Sequence, residues 1–598
     1  MIEYYQQQLN NTTAQITRYS QLVNRYSLSR LVVILAGLAL LFFSFKFDNI
    51  WFSLTLALFI AILFGWLVKS QMAFEVQKDY FLTMKAVLEN ELSECEFRES
   101  IYSDGSQFID DHHPYSSDLD VFGPRSLFQM INRCATNLGV NELANWLKAP
   151  AEIVAIEGRQ EAVKELSEMH TWRLHFQTVL FFCLKLDNDI VSNLHSYLKQ
   201  PIQRNKALRA YVKVAPFVFL GFLALAVFIP KMLALLFIVS LIHVGIIVSH
   251  QLYINKTDAQ IGKIGKTLSK FSEAFKTIED EKWQSSLCIH LADDFKTNSG
   301  KGVSGSIKEL AGLIKKLDYR LNVYVAVVLN AVFLWDLKQV FAIEDWKKSN
   351  TANIDEAFHV LAKFEVLNSL ASLSANNNKW IYPIVTKSEN YLLEARDLGH
   401  PLIAESFRIT NDYALINERK IDIITGSNMA GKSTFLRTIG INAVMALCGA
   451  PVCAAQMRLS PMHLITYMRI RDSLNESTST FKAELNRLQM VLETVPQKTN
   501  AFFLVDEMLR GTNSVDKYRG SKAVVEKLIA SNGVGIVATH DLQIAHLIQK
   551  YPSYIRNYYF DIEVRNGAMV FDYKLKDGEC KTFNASLLLK QIGVEIEE

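Results

Sequence analysis

Four stretches of this chain are dominated by apolar residues: 31–45, 50–68, 214–229 and 232–248. They form two pairs, the first joined by residues 46–49 and the second by Pro230-Lys231, links too short for a soluble connection. At about 15, 19, 16 and 17 residues they compare with the roughly 20 that a helix needs to cross the hydrocarbon core. Arg30, Lys46, Lys69 and Lys213 stand at their ends, where long side chains can reach back to the headgroups. One such run alone would read as a buried core helix. Pairing tips the reading toward two helical hairpins dipping through a bilayer, with no intramembrane acidic or basic residue to mark a transport path.

Elsewhere the pattern is periodic. Residues 1–30 set Ile2, Tyr5, Leu9, Ile16, Tyr19 and Leu22 among Gln, Asn and Thr, which predicts a weakly amphipathic helix, and residues 70–100 are charged and helix-like. Between 255 and 375, positions such as Ile261, Ile264, Leu268 and Phe271 recur at helical spacing, with one loop expected at residues 300–305. Beyond about residue 390, short β-rich runs alternate with helices, the signature of an α/β domain with a largely parallel sheet. The expected fold class is multi-domain α and α/β. Residues 1–110 hold N-terminal helices with the first hairpin, 115–375 an all-α core or lever with the second hairpin inserted, and 390–598 the α/β domain.

A chain of 598 residues, half of them hydrophobic, can bury several cores. The net charge of +2 makes no whole-chain case for nucleic acid. Lys308, Lys315, Lys316 and Arg320 could meet phosphates, but among Leu and Ile at helical spacing they read better as the solvated face of a packed helix. Seven cysteines show neither metal spacing nor a secretory framework and read as reduced thiols. Arg18, Arg25 and Arg30 precede the first hairpin and Lys69, Lys78 and Lys85 follow it; Arg204, Lys206, Arg209 and Lys213 precede the second, and Lys256, Lys263 and Lys266 follow it. Each link carries a single lysine, so the positive-inside rule predicts a multi-pass protein of bacterial inner-membrane type with its C-terminal domain in the cytoplasm. The polar stretch before the first run argues against a cleaved signal peptide.

The chemistry concentrates in TGSNMAGKST, residues 425–434, where Gly426, Gly431, Lys432 and Ser433 keep the G-x-x-x-x-G-K-[ST] spacing of a phosphate-binding loop. The apolar run 421–424 precedes it and the helix-like 435–447 follows, the strand, loop and helix context that the motif requires. Glycines let backbone N–H groups turn inward onto phosphates at a helix N-terminus, Lys432 can bridge the terminal phosphates, and the Ser433 hydroxyl suits Mg2+. The chain is therefore expected to hydrolyse a nucleoside triphosphate. Downstream, the apolar run 501–505 ends in Asp506, assigned to the metal, and Glu507, assigned to the attacking water as general base; at the end of a second run, 534–538, His540 can sense the γ-phosphate or the water.

TGSNMAGKSTFLRTIG, DSLNESTSTFKAEL (472–485), LVDEMLRGTNSVD (504–516) and ATHD (538–541) together resemble the ATPase domain of the MutS family of DNA mismatch-binding proteins. The similarity extends upstream to SLFQMINRCATNLGVNELANWLKAP, like the start of that family's helical core, and to His400-Pro401 before its ATPase domain. The resemblance implies an ABC-like P-loop NTPase domain that binds ATP with Mg2+ through Gly426, Ser427, Asn428, Met429, Ala430, Gly431, Lys432, Ser433 and Thr434. It implies that Phe407 stacks on adenine and Asn428 meets the phosphates. It further implies that Ser479 and Thr480 reach the γ-phosphate held by a second subunit, so that the site is catalytic only in a homodimer; Ser479 also fits a helix cap, with Glu484 following. DNA, mismatched or branched, is the implied partner. The family's mismatch-reading domain and its Phe-x-Glu wedge are not found, and the lever region is shortened. An ATP-driven membrane transporter, or a remodelling or scaffold ATPase that does not act on DNA, is the alternative, although an L-S-G-G-Q type signature is absent.

Overall fold

The computed structural model describes residues 1–47, 50–95, 100–185, 194, 196–200, 205–262, 265–295, 302–387, 391–416, 420–427, 430–468, 480–510, 513–565 and 568–580. Its first two helices, α1 (Ile2–Ser44) and α2 (Ile50–Cys95), run antiparallel. Ser44 Oγ lies 2.9 Å from Ser53 Oγ near the tip, Arg30 donates to Gln71 at 2.8 Å midway, and Tyr19 stacks on Phe81 lower down. At 1.5 Å per residue the hairpin is roughly 65 Å long. No residue interrupts the passage from polar to apolar sequence, so the expected N-terminal helix and the first apolar run form a single helix. Gly37 lets the two helices close up, since a Cβ there would stand 2.9 Å from Ile60. Arg30, over the ring of Phe64, marks the boundary beyond which Leu35, Leu38, Phe42, Trp51, Phe59 and Ile62 are exposed. Each such side chain forgoes about 1.5–3 kcal/mol that burial returns.

Four helices begin the central body: α3 (Leu127–Ile131), α4 (Asn137–Lys148), α5 (Ile153–Glu168) and α6 (His170–Leu180). The second apolar pair forms α7 (Lys206–Phe228) and α8 (Met232–Ser249), followed by α9 (Gln251–Ile261), α10 (Gly265–Glu279), α11 (Ser286–Asp293) and α12 (Gly302–Leu317). Of the loop expected at 300–305, residues 300 and 301 lie outside the described residues and 302–305 are helical: Gly302, at φ +69°, opens α12, whose first turn is capped by the Glu279 carboxylate on Ser304 N at 3.0 Å. The helix buries Val303, Ile307, Leu310 and Ile314, while Arg320 just beyond it turns to Asp258 and Asp336 at 3.7 and 3.9 Å, which agrees with the packed-helix reading of the basic cluster.

Next come α13 (Val323–Phe333) and α14 (Trp335–Asn376), which meet at 77° across Leu334, at φ +49°. The 42-residue α14 packs on α4, α5 and α12 through Phe358, Leu361, Phe364 and Leu367 and ties both hairpins to the body. Near its start, Arg209 of α7 pairs with Glu344 and with Asp345 at 2.5 Å. At its end, Asn376 accepts from Tyr5 of α1 at 2.9 Å and donates to Glu91 of α2 at 3.1 Å. Among the described residues, the four helices α1, α2, α7 and α8 are long and apolar enough to cross a membrane, and α13 joins them if its bent pair is counted. Sequence reading passed over α13, and it also passed over His243, a titratable residue in the middle of α8 that is fully buried.

Glu91 and Arg133 form a buried ion pair at 2.6 Å, both side chains 2% exposed or less. Burial pushes the Glu91 carboxyl up, but the Arg133 guanidinium more than offsets this and holds it below the usual range. Glu91→Gln should therefore lower stability by about 3 kcal/mol at neutral pH, because it strands Arg133. A carboxylate depressed on folding stabilises above its unfolded value near 4.3 and loses that contribution as pH falls, so the gap between the two melting temperatures should shrink below about pH 4.

In the C-terminal domain, β1 (Ile384–Val385), β2 (Leu392–Leu398), β3 (Asn411–Ile416), β4 (Ile421–Thr425), α15 (Lys432–Cys448), β5 (Gln456–Leu459) and β6 (His463–Tyr467) come first. Then follow α16 (Thr480–Gln497), β7 (Ala501–Asp506), α17 (Ser514–Ala530), β8 (Val534–Ala538), β9 (Ile555–Phe560), the small hairpin β10 (Glu563–Arg565) with β11 (Ala568–Val570), and β12 (Leu575–Asp577). A six-stranded sheet has the order β12-β9-β4-β8-β7-β6, parallel except for β12, as the alternating pattern predicts. A second, mixed sheet, β1-β5-β2-β3, was not anticipated. Strands β4, β7 and β8 are buried at every position because helices cover both faces. Phe502 and Leu504 join the core on the α15 side, Phe503 and Val505 the core under α16 and α17.

Candidate functional site

The carboxyl ends of β4, β8 and β7 lie side by side, with Ile424 opposite Ala538 and Ala538 opposite Asp506. Ligands gather at such ends because the following loops and helix N-termini converge there. The loop after β4 turns through Gly426, at φ +144°, where a Cβ would stand 2.7 Å from the Phe560 carbonyl oxygen. Gly431, at φ +107°, caps α15 with the Tyr573 ring against it. Lys432, buried in the first turn, donates to the carbonyls of Gly426 at 2.7 Å and Ser427 at 2.8 Å, and burial lowers its pKa. Its ammonium is thus folded into the concavity of its own loop, where it can exchange those carbonyls for phosphate oxygens.

Ser433 Oγ donates to Asp506 Oδ2 at 2.5 Å. Burial pushes the Asp506 carboxyl up, and Arg510 stands 3.6 Å away. Two hard oxygen donors facing each other in a buried cleft fit Mg2+, which takes few protein ligands and completes its shell with water and phosphate.

Glu507 follows at φ +54°, in the left-handed region that disfavours a side chain, with its N–H on Ala538 O at 2.9 Å. This backbone directs the carboxylate to His540, whose Nδ1 bonds Glu507 Oε1. Lys517 Nζ lies 3.3 Å from the same oxygen and 3.4 Å from His540 Nε2, and Arg510 Nε lies 3.5 Å from Oε2. A carboxylate oxygen can only accept, so Nδ1 donates to Glu507. The His540 hydrogen bond first, then His540, Arg510 and Lys517 as charges, hold Glu507 down to about 2.

A cleft of about 350 Å3 joins these groups, lined by Ser427, Gly431, Lys432, Ser433, Thr434, Asp506 and Glu507, with Phe407 at its lip. Phe407 is 81% exposed, a ring with one face open to a flat partner. Ala430 is buried beneath the loop, and His540 supports Glu507 from beside the cleft. Asn428, Met429 and Ser479 lie outside the described residues. Sequence reasoning missed Lys517, His400, Asn411 and Tyr573. Lys517 did leave a signal: a cation in the first turn of a helix opposes the macrodipole and implies a local counter-charge. Burial holds His400, on the cleft wall, down to about 4, so it stays neutral.

The family model described as MutS domain V matches residues 422–587, the segment that carries the loop, both acids and His540. Over 223 residues the chain is 32% identical to the DNA mismatch repair protein MutS of Thermotoga petrophila, a match covering 36% of this chain and 27% of that protein. In this segment the chain is similar to the MutS family. The MutS of Aquifex pyrophilus is 31% identical over 227 residues and that of Methanosarcina mazei 30% over 244, each match covering 26% of the relative. The chain thus matches about a quarter of the length of these MutS proteins. The matched segment includes helix α15, which is gripped at both ends: Arg437 pairs with Asp120 at 2.9 Å, and Arg159 of α5 donates to Cys448 O at 3.1 Å.

Proposed function

We propose that the chain is a membrane-anchored, dimeric MutS-type ATPase acting on DNA, and that ATP hydrolysis drives the dimer between open and closed arrangements. One observation carries the ATPase reading: Lys432 and Ser433 from one segment and Asp506 and Glu507 from another converge on one cleft under an exposed aromatic ring from a third. Phe407 receives the adenine, and Lys432 with the loop N–H groups receives the phosphates. Ser433 and Asp506 hold Mg2+, which supplies charge neutralisation at the triphosphate when bound. Glu507, held near 2 by its bond to His540, is a weak proton acceptor as it stands. Its first role is therefore to orient the attacking water, which suffices for a loose phosphoryl transition state. Ser479 comes from the second subunit. The grips of Asp120 and Arg159 on α15 carry any shift of the loop into the helical core.

The DNA arm is tested with the full chain in detergent or nanodiscs, comparing mismatched, branched and homoduplex DNA by fluorescence anisotropy. Affinity should fall roughly 10³-fold between 50 and 200 mM salt, and ATP turnover should change when DNA is added. Binding without salt dependence, or none, removes DNA as the ligand. The second reading, an ATPase that reshapes or scaffolds membranes, draws support from α14, which contacts both apolar hairpins and leads directly into the ATPase domain.

A further inference from the structure

Helix α13 has no charged residue and is only 11 residues long, about 16 Å, half of what a bilayer core demands. Its C-terminal half is packed against α7 and α8: Val332 meets the small core of Phe219, Ala226 and Leu236, and Asn330 is buried with its side-chain oxygen on Asp336 N at 3.0 Å. The pin between the three helices is His243. Its Nδ1 donates to the Ala331 carbonyl at 2.8 Å, and its Nε2 lies 3.1 Å from the hydroxyl of Tyr211 on α7. The N-terminal half is different: Val323, Tyr324, Val325, Val327 and Val328 are all exposed, Tyr324 at 87%. Five neighbouring apolar positions cannot all lie on one face of a helix, so this half projects from the body uncovered on nearly every side.

We infer that α13 is a membrane-inserted element: a half-length helix whose N-terminal half sits among the acyl chains of the leaflet entered by the cytoplasmic ends of α7 and α8. The occupant of its surface is lipid. Continuity supports this, because the exposed face runs on from the apolar surfaces of α7 and α8, held in register by His243. The flanks support it as well. Tyr319 and Trp335 stack at 6.1 Å where the helix meets the body, with Lys316 and Lys338 beside them, the aromatic and basic girdle of a membrane boundary. Since α13 passes through Leu334 into α14, the bilayer would then act on the head of the helix that reaches the ATPase domain.

This inference rests on the membrane reading of α7 and α8, and the test separates the two. The full chain carrying Val327→Cys or Phe217→Cys is labelled with an environment-sensitive NBD probe and reconstituted in phosphatidylcholine–phosphatidylglycerol vesicles with or without doxyl-labelled lipid, the unsubstituted chain giving the background. Phe217 lies on the exposed face of α7. Expected is at least twofold quenching at both positions. Quenching at 217 but not at 327 overturns the inference and leaves the hairpin reading intact; a blue-shifted but unquenched probe at 327 does the same and assigns the surface to a protein partner. Absence of quenching at both positions defeats the membrane reading and the inference together.

Discussion

Replacing Glu507 by Gln should leave ATP binding intact and slow turnover by about a hundredfold or more, the scale on which a misplaced reactant slows a reaction. The amide keeps the shape of the side chain but can neither accept a proton nor hold water as a carboxylate does. Its neighbours argue for a clean effect. Lys517 and Arg510 stand beside Glu507, so removing its charge makes the site more positive, which favours, if anything, the bound triphosphate. Single-turnover measurements with labelled ATP separate binding from chemistry; persistence of wild-type turnover would falsify the role given to Glu507.

Lys432→Met should weaken ATP binding by about a hundredfold, the equivalent of roughly 2.7 kcal/mol and typical of a lost charge-assisted contact. Folding should survive, because the native ammonium is already penalised by burial, which outweighs the pull of Asp506 and Glu507, and it hydrogen-bonds to carbonyls of its own loop. An apolar side chain of similar length removes that penalty, so the melting temperature without nucleotide should hold or rise, while the ATP-induced increase disappears. A lower melting temperature without nucleotide, with the ATP shift retained, would make Lys432 a structural residue and leave the cleft without its phosphate contact.

The two predictions differ in how far the sequence alone supported them. Lys432 and Ser433 are fixed by a local motif: a Gly-rich turn between a buried strand and a helix has few conformations, and its residues are neighbours in the chain. Asp506 and Glu507 were readable as acids at the end of an apolar run, but that they meet Ser433 and His540 depends on strand order. The tight hold on Glu507 comes from Lys517 and His540, 10 and 23 or more residues apart along the chain from their partners, which no spacing rule connects. Tyr573 and Asn411 form part of the cleft wall because Asn411 bonds the chain on either side of Lys574, a contact across more than 160 residues.

By itself the sequence determined the apolar hairpins as helices, the helical middle, the parallel sheet and the glycine-rich turn between β4 and α15. Each is encoded by period or by a short motif, and local sterics and hydrophobic patterning decide such features within a few turns of chain. Only the tertiary structure decided that one helix runs unbroken from residue 2 to 44, that α14 bridges both hairpins, and that α13 projects bare beside His243. Those outcomes depend on which faces find partners across the fold. A face left uncovered and a face buried against a distant helix can be spelled by the same run of valines, and packing alone tells them apart.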